Sequence, residues 1–365
     1  MMRLSVHMMV LNGASVVERA LRSLIGIADE VCFIDTGSTD DTIRTILHSC
    51  HPKIQCHWLL LSPRFDPELF FVDAASTWRR EVPGPFTERP ILRDWAEARN
   101  RGLELCHGDY ILKMDADDEC LTPEGLLPTL GFLDSKPDIN YLLCPYEVMI
   151  SNTHDAEILT FQDRIWRNKP TIRFTQIMHE RLSGKGLLPN NETNWIFAAG
   201  GLRFRDWRDS AGNGIRIAHR NYKVFLTEYE RLEARNEKMD PLSMFNMGDE
   251  AIEADPNFAV SLLKESWGDE LRNMGMEPSY HYNLGRAYHA CGIVDHAEDS
   301  FKKAVEVSSD SAMSLLALGL LEWELCSRGW RDTLVAALKA IDKQFLYNVR
   351  LSDLRKAEEL LGITK

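Results

Sequence analysis

Gly108-Asp109-Tyr110-Ile111-Leu112-Lys113-Met114-Asp115-Ala116-Asp117-Asp118-Glu119 sets the fold class, because a short apolar run leads straight into a cluster of acids. A run of this length, bounded by Gly-Asp on one side and polar residues on the other, predicts a buried strand over Asp109–Met114. Carboxylates at the exit of such a strand are costly unless a cation or hydrogen-bond donors offset them. The alternate acids Asp115 and Asp117 suit a hard divalent ion that keeps water and accepts phosphate oxygens as ligands. An isolated Asp-x-Asp describes a solvated turn equally well. Its place at the end of a strand in a parallel sheet, where ligands bind, is what gives it weight.

Working outward, apolar runs and helical patterns alternate through the first third of the chain. Leu4–Leu11 reads as a strand, and Ser15–Gly26 as a helix with Val16, Ala20, Leu21 and Leu24 on one face. Glu30–Asp35 predicts a second strand, Asp40–Cys50 a second helix, and Ile54–Leu61 a third strand. Asp94–Cys106 has a helical period and leads into the acidic strand. Strand and helix in alternation with short loops mean crossover units and a mostly parallel, Rossmann-like α/β sheet.

Residues 62–93 interrupt this pattern with Pro63, Pro67, Pro83, Pro85 and Pro90, and with Phe65, Phe70, Phe71, Trp78 and Phe86. So long a connection rich in aromatics predicts an ordered flap. Its aromatics either stack on a ligand or pack the flap onto the core. From Asn140 to about Ile217 the pattern is strand-rich, and after Tyr222 it turns helical. Within 280–307, Leu284, Gly285, Tyr288, Gly292, Ala297, Phe301 and Ala304 fall at the small and large positions of one tetratricopeptide repeat. A weaker match follows over Ser311–Leu338. One repeat is not stable alone and must dock on neighbouring helices. The expected organisation is an α/β domain over 1–225, with 62–93 inserted, followed by an all-α tetratricopeptide-like domain over 226–365.

The chain of 365 residues is long enough for two domains, and 44% of it is hydrophobic. Its 42 Lys and Arg against 55 Asp and Glu give a net charge of −13, which disfavours a protein held to nucleic acid through phosphates. Eight scattered cysteines show no metal-ligand or disulfide spacing and read as buried free thiols of a reducing compartment. The first residues lack the apolar run of a signal peptide, and no segment reaches the roughly 20 apolar residues of a membrane helix. A soluble, cytoplasmic protein without membrane insertion is expected.

The second strand ends at Asp35, followed by Thr36-Gly37-Ser38-Thr39-Asp40-Asp41-Thr42. Gly37 permits a tight turn and Ser38 or Thr39 can cap the next helix, which accounts for all but Asp35. A carboxylate there can accept hydrogen bonds from a ribose or a base. A nucleotide lying between the two acidic loops would have its base or ribose near Asp35 and its diphosphate near a metal at Asp117.

Together these motifs resemble glycosyltransferase family 2. The resemblance runs through Ile34-Asp35-Thr36-Gly37-Ser38-Thr39-Asp40-Asp41-Thr42, Asp94-Trp95-Ala96-Glu97-Ala98-Arg99-Asn100 and the acidic strand, and covers roughly residues 4–225 plus the repeat. It is closest to the subgroup with C-terminal tetratricopeptide repeats, which includes SunS-like peptide glycosyltransferases. The resemblance implies a GT-A fold, a nucleotide-sugar donor with a UDP-sugar favoured, and a divalent metal, Mn or Mg. Carried over by position, Asn12, Asp35, Arg99, Asp115 and Ala116 would line the donor, and Asp115 and Asp117 would hold the metal. Arg99 would pair with the diphosphate or with the acidic loop. Gly13-Ala14 stand where the family usually has acids after Asn12.

Arg164-Ile165-Trp166-Arg167 and Ile177-Met178-His179-Glu180 resemble the family's Arg-rich strand and His-Glu pair. Glu180 is then the expected general base, with Asp163 next, and Glu180 and His179 can equally be hydrogen-bonded structural residues. His219, in a recurring His-x-x-Tyr element, is favoured over His179 as a metal ligand. The remaining histidines read as surface or packing residues. Inversion at the anomeric carbon is implied by the resemblance.

For the acceptor, a tetratricopeptide stack offers a groove for an extended peptide or an interface for a homodimer. A peptide or protein is favoured over a saccharide, and a modified DNA base is not favoured. A non-catalytic scaffold would have lost the strand-end acids. A nucleotidyltransferase would carry a basic phosphate loop, and Leu11-Asn12-Gly13-Ala14-Ser15 has no basic residue.

Overall fold

The computed structural model describes residues 2–71, 91–148, 158–183, 201–207, 213–343 and 351–363. They fall into two compact units, one carrying the sheet up to residue 207 and the other carrying the helices from Asn213 onward together with residues 158–160.

The first unit runs β1 (Leu4–Val10), α1 (Val17–Ser23), β2 (Glu30–Asp35), α2 (Thr42–Ser49), β3 (Gln55–Leu60), β4 (Phe70–Phe71), β5 (Ile91–Leu92), α3 (Trp95–Leu103) and β6 (Tyr110–Asp115). It continues with β7 (Asp118–Cys120), α4 (Leu126–Ser135), β8 (Tyr141–Val148), β9 (Ile158–Arg167, from Phe161 onward in this unit), β10 (Arg173–Thr175), β11 (Arg181–Ser183) and β12 (Phe204–Asp206). Eight strands form one sheet in the order β3-β2-β1-β6-β9-β8-β12-β7. The first four are parallel, as are β8 and β12, while β9 runs antiparallel to β6 and β7 antiparallel to β12. This is the expected mostly parallel, Rossmann-like sheet.

The twofold alternation along the central strands separates two environments. Leu4, Val6, Met8, Val31, Phe33, Tyr110, Leu112 and Met114 enter one core with Val17, Ala20, Leu21 and Leu24. Each fully buried side chain of this size stabilises the fold by roughly 1.5–3 kcal/mol. The other face carries Cys32 and Ile111, which pack with Leu103 of α3 and Phe174 of β10. It also carries the buried polar residues Ser5, His7, Glu30 and Lys113. That polar face is where the chemistry gathers.

Several local expectations change. Asp40, not Ser38 or Thr39, serves the start of α2: its Oδ1 accepts from Thr42 N–H at 3.1 Å. Ser38 instead accepts from Asn12 N–H, because the first loop lies against this turn. Cys50 and Cys56 were expected as free thiols, but the turn between α2 and β3 brings both against the same core, where they are joined as a disulfide. Cys32, Cys106, Cys120 and Cys144 are free and buried. Of the 62–93 insertion, Leu69, Phe70 and Leu92 pack into the core with Met9, Ile34 and Ala98, and β4 pairs with β5. Phe70 is therefore a packing residue, while Trp78 and the remainder at 72–90 lie outside the described residues.

The second unit comprises α5 (Asn213–Ala234), α6 (Pro241–Ala251), α7 (Pro256–Ser266), α8 (Asp269–Asn273), α9 (Glu277–Ala290), α10 (Val294–Val307), α11 (Ala312–Glu324), α12 (Trp330–Lys343) and α13 (Leu351–Leu361). The helix expected after Tyr222 begins at Asn213. The alternating Ile215-Arg216-Ile217 mimics a strand, but its backbone is helical and continuous with the segment that buries Tyr222, Phe225 and Leu226. Three hairpins repeat one packing device. A Cβ on Gly248 of α6 would meet Leu263 of α7 at 2.9 Å. A Cβ on Gly285 of α9 would meet Phe301 of α10 at 2.6 Å, and one on Gly319 of α11 would meet Leu334 of α12 at 2.7 Å. The sequence pattern exposed the second hairpin clearly and the third weakly; the first adds to them in this tetratricopeptide-like region. Among the described residues no helix is long and apolar enough to cross a membrane.

Candidate functional site

Three neighbouring parallel strands deliver the predicted residues to one edge of the sheet. β2 ends at Asp35, β1 at Val10 and β6 at Asp115, with Val10 beside Asp35 and Met9 beside Asp115. Strands about 4.8 Å apart place the ends of β2 and β6 about 10 Å from one another. Between them, Gly13 sits so close that a Cβ would meet Val10 Cγ2 at 2.9 Å and Ala116 Cβ at 3.4 Å. The first loop thus lies directly on Ala116, which is buried.

Asn12, with φ +51°, turns its Oδ1 to accept from Thr39 N–H at 2.8 Å. Its amide oxygen ties the two loops together. Asp35 accepts through Oδ1 from Gly37 N–H at 2.8 Å and Ser38 N–H at 2.7 Å. Its Oδ2 is buried and has no hydrogen-bond partner among the described residues. The turn explains one oxygen and leaves the other for an outside donor.

Arg99 organises the second half. Asp94 caps α3 by accepting from Glu97 N–H, which fixes the start of the helix about one and a half turns before Arg99. The Arg99 side chain is 4% exposed. Its Nε donates to Glu180 Oε1 at 2.5 Å and its Nη2 to Asp115 Oδ1 at 2.9 Å. Its Nη1 is buried without a hydrogen-bond partner among the described residues. Burial pushes the Glu180 carboxyl up, but the Arg99 charge, helped by Lys113, outweighs it and holds the pKa below the ordinary range. Asp115 follows the same logic: burial raises it, and Arg99, Arg164 and Lys113 bring it far lower. Both carboxylates are ionised at neutral pH.

Lys113, two residues before Asp115 on the same strand face, lies 3.8 Å from Asp163. His7, beside Lys113 on β1, is fully buried and its Nε2 hydrogen-bonds the Arg99 carbonyl at 2.9 Å. Burial, then the Arg99 charge, lowers its pKa to about 3, so the ring is neutral. Neither residue was singled out in the sequence. The twofold spacing from Asp115 signals Lys113, whereas His7 needs the strand pairing.

Asp117 belongs to a second cluster. Its carboxylate, that of Asp118 and that of Asp206 offer oxygens all within 4.8 Å of one another. Asp206 arrives because β12 pairs with β7, setting it opposite Asp118. Asp118 is fully engaged: Oδ2 accepts from Arg164 at 2.6 Å and from Asp115 N–H at 2.7 Å, and Oδ1 accepts from Tyr146 at 2.7 Å. Its partner Arg164, like Asp118, is completely buried. Asp117 and Asp206 bring the cluster's other two carboxylates, oxygen donors of the kind a hard cation takes. Asp206 was missed in the sequence, since nothing local connects it to Asp117.

His179 stands exposed in the turn between β10 and β11, with φ +55°. His219 lies in α5 of the other unit, and its side chain is outside the described residues. Two histidines read as surface or packing residues, His57 and His107, converge on Glu30 at the opposite edge of the sheet.

The fold and this edge define a Rossmann-like α/β protein with an acidic strand-end site. Residues 86–191 match the family model described as glycosyl transferase family 2. A TPR repeat-containing protein of Synechococcus elongatus is 26% identical over 200 residues, which are 54% of this chain and 40% of that protein. The match therefore spans less than half of that relative's length. Among solved structures, glucosyl-3-phosphoglycerate synthase from Mycobacterium tuberculosis, in complex with Mn2+, UDP and glucosyl-3-phosphoglycerate, is similar at 22% identity and TM-score 0.26, covering 40% of this chain and 44% of that one. Staphylococcus aureus TarS 1–349 in complex with UDP is similar at 14% identity and TM-score 0.35, covering 98% of this chain and 90% of that one.

Proposed function

We propose that the chain is a metal-dependent glycosyltransferase. It moves a sugar from a nucleotide-sugar donor, a UDP-sugar, to a peptide or protein acceptor with inversion at the anomeric carbon. The observation that carries this reading is the shared edge at which Asp35, Arg99, Asp115 and Asp117 meet the ends of neighbouring parallel strands, the last three of them within the stretch matched by the glycosyltransferase model.

The unsatisfied Asp35 Oδ2 would accept a donor N–H or O–H from the base or ribose. A span of about 10 Å to Asp115 suits a nucleoside diphosphate. The unpartnered Arg99 Nη1 is a donor for a phosphate oxygen. Asp117 and Asp206 would hold Mg2+ or Mn2+, and Asp115 would contact the ribose or the ion. When bound, the ion supplies charge neutralisation at the diphosphate.

Glu180, kept as a carboxylate by Arg99, would take the proton of the acceptor's nucleophilic group as that atom bonds to the anomeric carbon. The bond from that carbon to the diphosphate breaks on the opposite face. Asp163, beside Lys113, is the second choice of base. The three helical hairpins support a peptide acceptor over a saccharide.

Thermal-shift titration of UDP-, GDP-, TDP- and CMP-sugars, each with and without manganese, tests the donor site. Stabilisation by a UDP-sugar that requires metal is expected, and no response to any of them overturns the reading. Mass spectrometry of peptide and oligosaccharide pools incubated with the bound donor then decides the acceptor.

A further inference from the structure

We propose that Glu30, His57 and His107 form a second metal site, for a transition-metal ion of the zinc type, at the opposite end of the sheet from the acidic loops. Glu30 begins β2 and Asp35 ends it, so about 17 Å of strand separates the two sites.

Glu30 is 1% exposed, and its two oxygens are used very differently. Oε1 accepts from Ser5 Oγ at 2.5 Å, His107 N–H at 2.5 Å and Gly108 N–H at 3.2 Å. Oε2 makes no hydrogen bond among the described residues, although it is buried, and the same holds for His57 Nε2. These two atoms lie 3.3 Å apart, and His107 Nδ1 lies 3.5 Å from the same Oε2. All three atoms are within 4.8 Å of one another.

Those separations match what an ion would impose. A tetrahedral site with bonds of about 2.0–2.1 Å sets neighbouring ligand atoms about 3.3–3.4 Å apart. A carboxylate oxygen aimed at two imidazole nitrogens, with its other oxygen pinned by three donors, has the orientation that supporting hydrogen bonds give a metal ligand. Two imidazoles and one carboxylate suit zinc and its neighbours better than magnesium or calcium. His107 is 57% exposed, which leaves water access to a fourth position. Cys32, next along the same strand face, stays outside the set, donating instead to the Leu105 carbonyl at 3.2 Å. Arg3 approaches Oε2 at 3.6 Å from an exposed position and would swing away from a bound cation.

The ion would tie together β2, β3 and the loop that leads into β6. Calorimetric titration of chelator-treated full-length protein with Zn2+, in excess Mg2+ to occupy the acidic loops, tests this. Co2+ absorption reports the geometry. One equivalent should bind, with a tetrahedral cobalt spectrum and a rise in melting temperature. Losing a supporting partner of a metal ligand weakens affinity about 10–100-fold, so His57→Gln and His107→Gln should each weaken it by at least about a hundredfold. Asp117→Asn should leave it unchanged. Absence of zinc binding, parent-like affinity in both histidine variants, or loss of binding in Asp117→Asn would each overturn the proposal. Melting of the histidine variants without metal, expected to match the parent chain, excludes misfolding as the cause.

Discussion

Arg99 Nε lies 2.5 Å from Glu180 Oε1, so the proposed base is held by the same guanidinium that grips Asp115 through its other side. One buried cation therefore sets the charge state and position of two carboxylates from distant parts of the chain. Removing it strands both, and breaking a buried pair by deleting one partner costs about 3–5 kcal/mol. Arg99→Met should lower the unfolding free energy in urea by about that amount and abolish transfer. Arg99→Lys should restore part of the stability but not the two-sided grip, leaving transfer low. A methionine variant as stable as the parent chain would show that Arg99 is not the organising charge.

Acid should destabilise this protein in two stages. His7 is neutral in the fold down to about pH 3, whereas in the unfolded chain its imidazole protonates near pH 6.5. Between those values the unfolded state binds the extra proton, so stability falls as pH drops, by about 1.4 kcal/mol per pH unit. Glu180 and Asp115, with folded pKa values below their unfolded ones, add stability above about pH 4 that is lost as pH falls further. Urea unfolding across pH 4.5–6.5 isolates the first stage. His7→Gln should flatten that slope, apart from a smaller part owed to His281, which burial also lowers. An unchanged slope in His7→Gln would sink the assignment.

The strands and helices of the first third were legible because their signals are local. Glu30–Asp35 was placed to the residue, and Trp95–Leu103 falls inside the helix expected over Asp94–Cys106. The acids at the end of β6 were equally visible. Four residues were not, and each depends on contacts between distant elements. Asp206 reaches Asp118 only through the pairing of β12 with β7, across 88 positions of sequence. His7 becomes a buried neighbour of Arg99 only once α3 lies on β1. His57 and His107 carry no motif, and their shared partner Glu30 is revealed by the sheet alone. Periodicity shows which face a residue occupies, but not which other strand will stand beside it.

The three acids of the cluster beyond β6 should separate by experiment. Asp118 sits with Arg164 in full burial and takes three hydrogen bonds. Asp118→Asn should lower stability by about 3–5 kcal/mol, read from the urea midpoint. Asp117→Ala should leave that midpoint within about 0.5 kcal/mol and remove metal-dependent nucleotide binding and transfer. Asp206→Asn should weaken metal affinity without removing it, if two carboxylates share the ion. Wild-type turnover in Asp117→Ala would take the metal away from this loop.

Glu180→Gln keeps the shape of the side chain and one acceptor for Arg99 while removing the charge that takes a proton. Donor affinity should stay within about twofold of the parent, and transfer should slow by at least about tenfold to a hundredfold. Unchanged turnover would move the base to Asp163, where Asp163→Asn should then show the loss.

Glycine replacements should have opposite signs in the two units. Gly285 lies in α9 where a Cβ would stand 2.6 Å from the Phe301 ring. Alanine gains about 1 kcal/mol of helix propensity there, but overpacking a close helix contact costs about 1–3 kcal/mol. Phe301 is buried and cannot move aside freely. Gly285→Ala should therefore lower the melting temperature of the helical unit, and Gly248→Ala and Gly319→Ala should do the same through Leu263 and Leu334. Gly131, in the middle of α4, is the control, since a Cβ there meets nothing within 4 Å. Gly131→Ala should raise stability by about 0.5–1 kcal/mol. Stabilisation by all four alanines would mean that the hairpins open readily enough to absorb a methyl group, and that the glycine-to-large-residue contact does not hold the stack together.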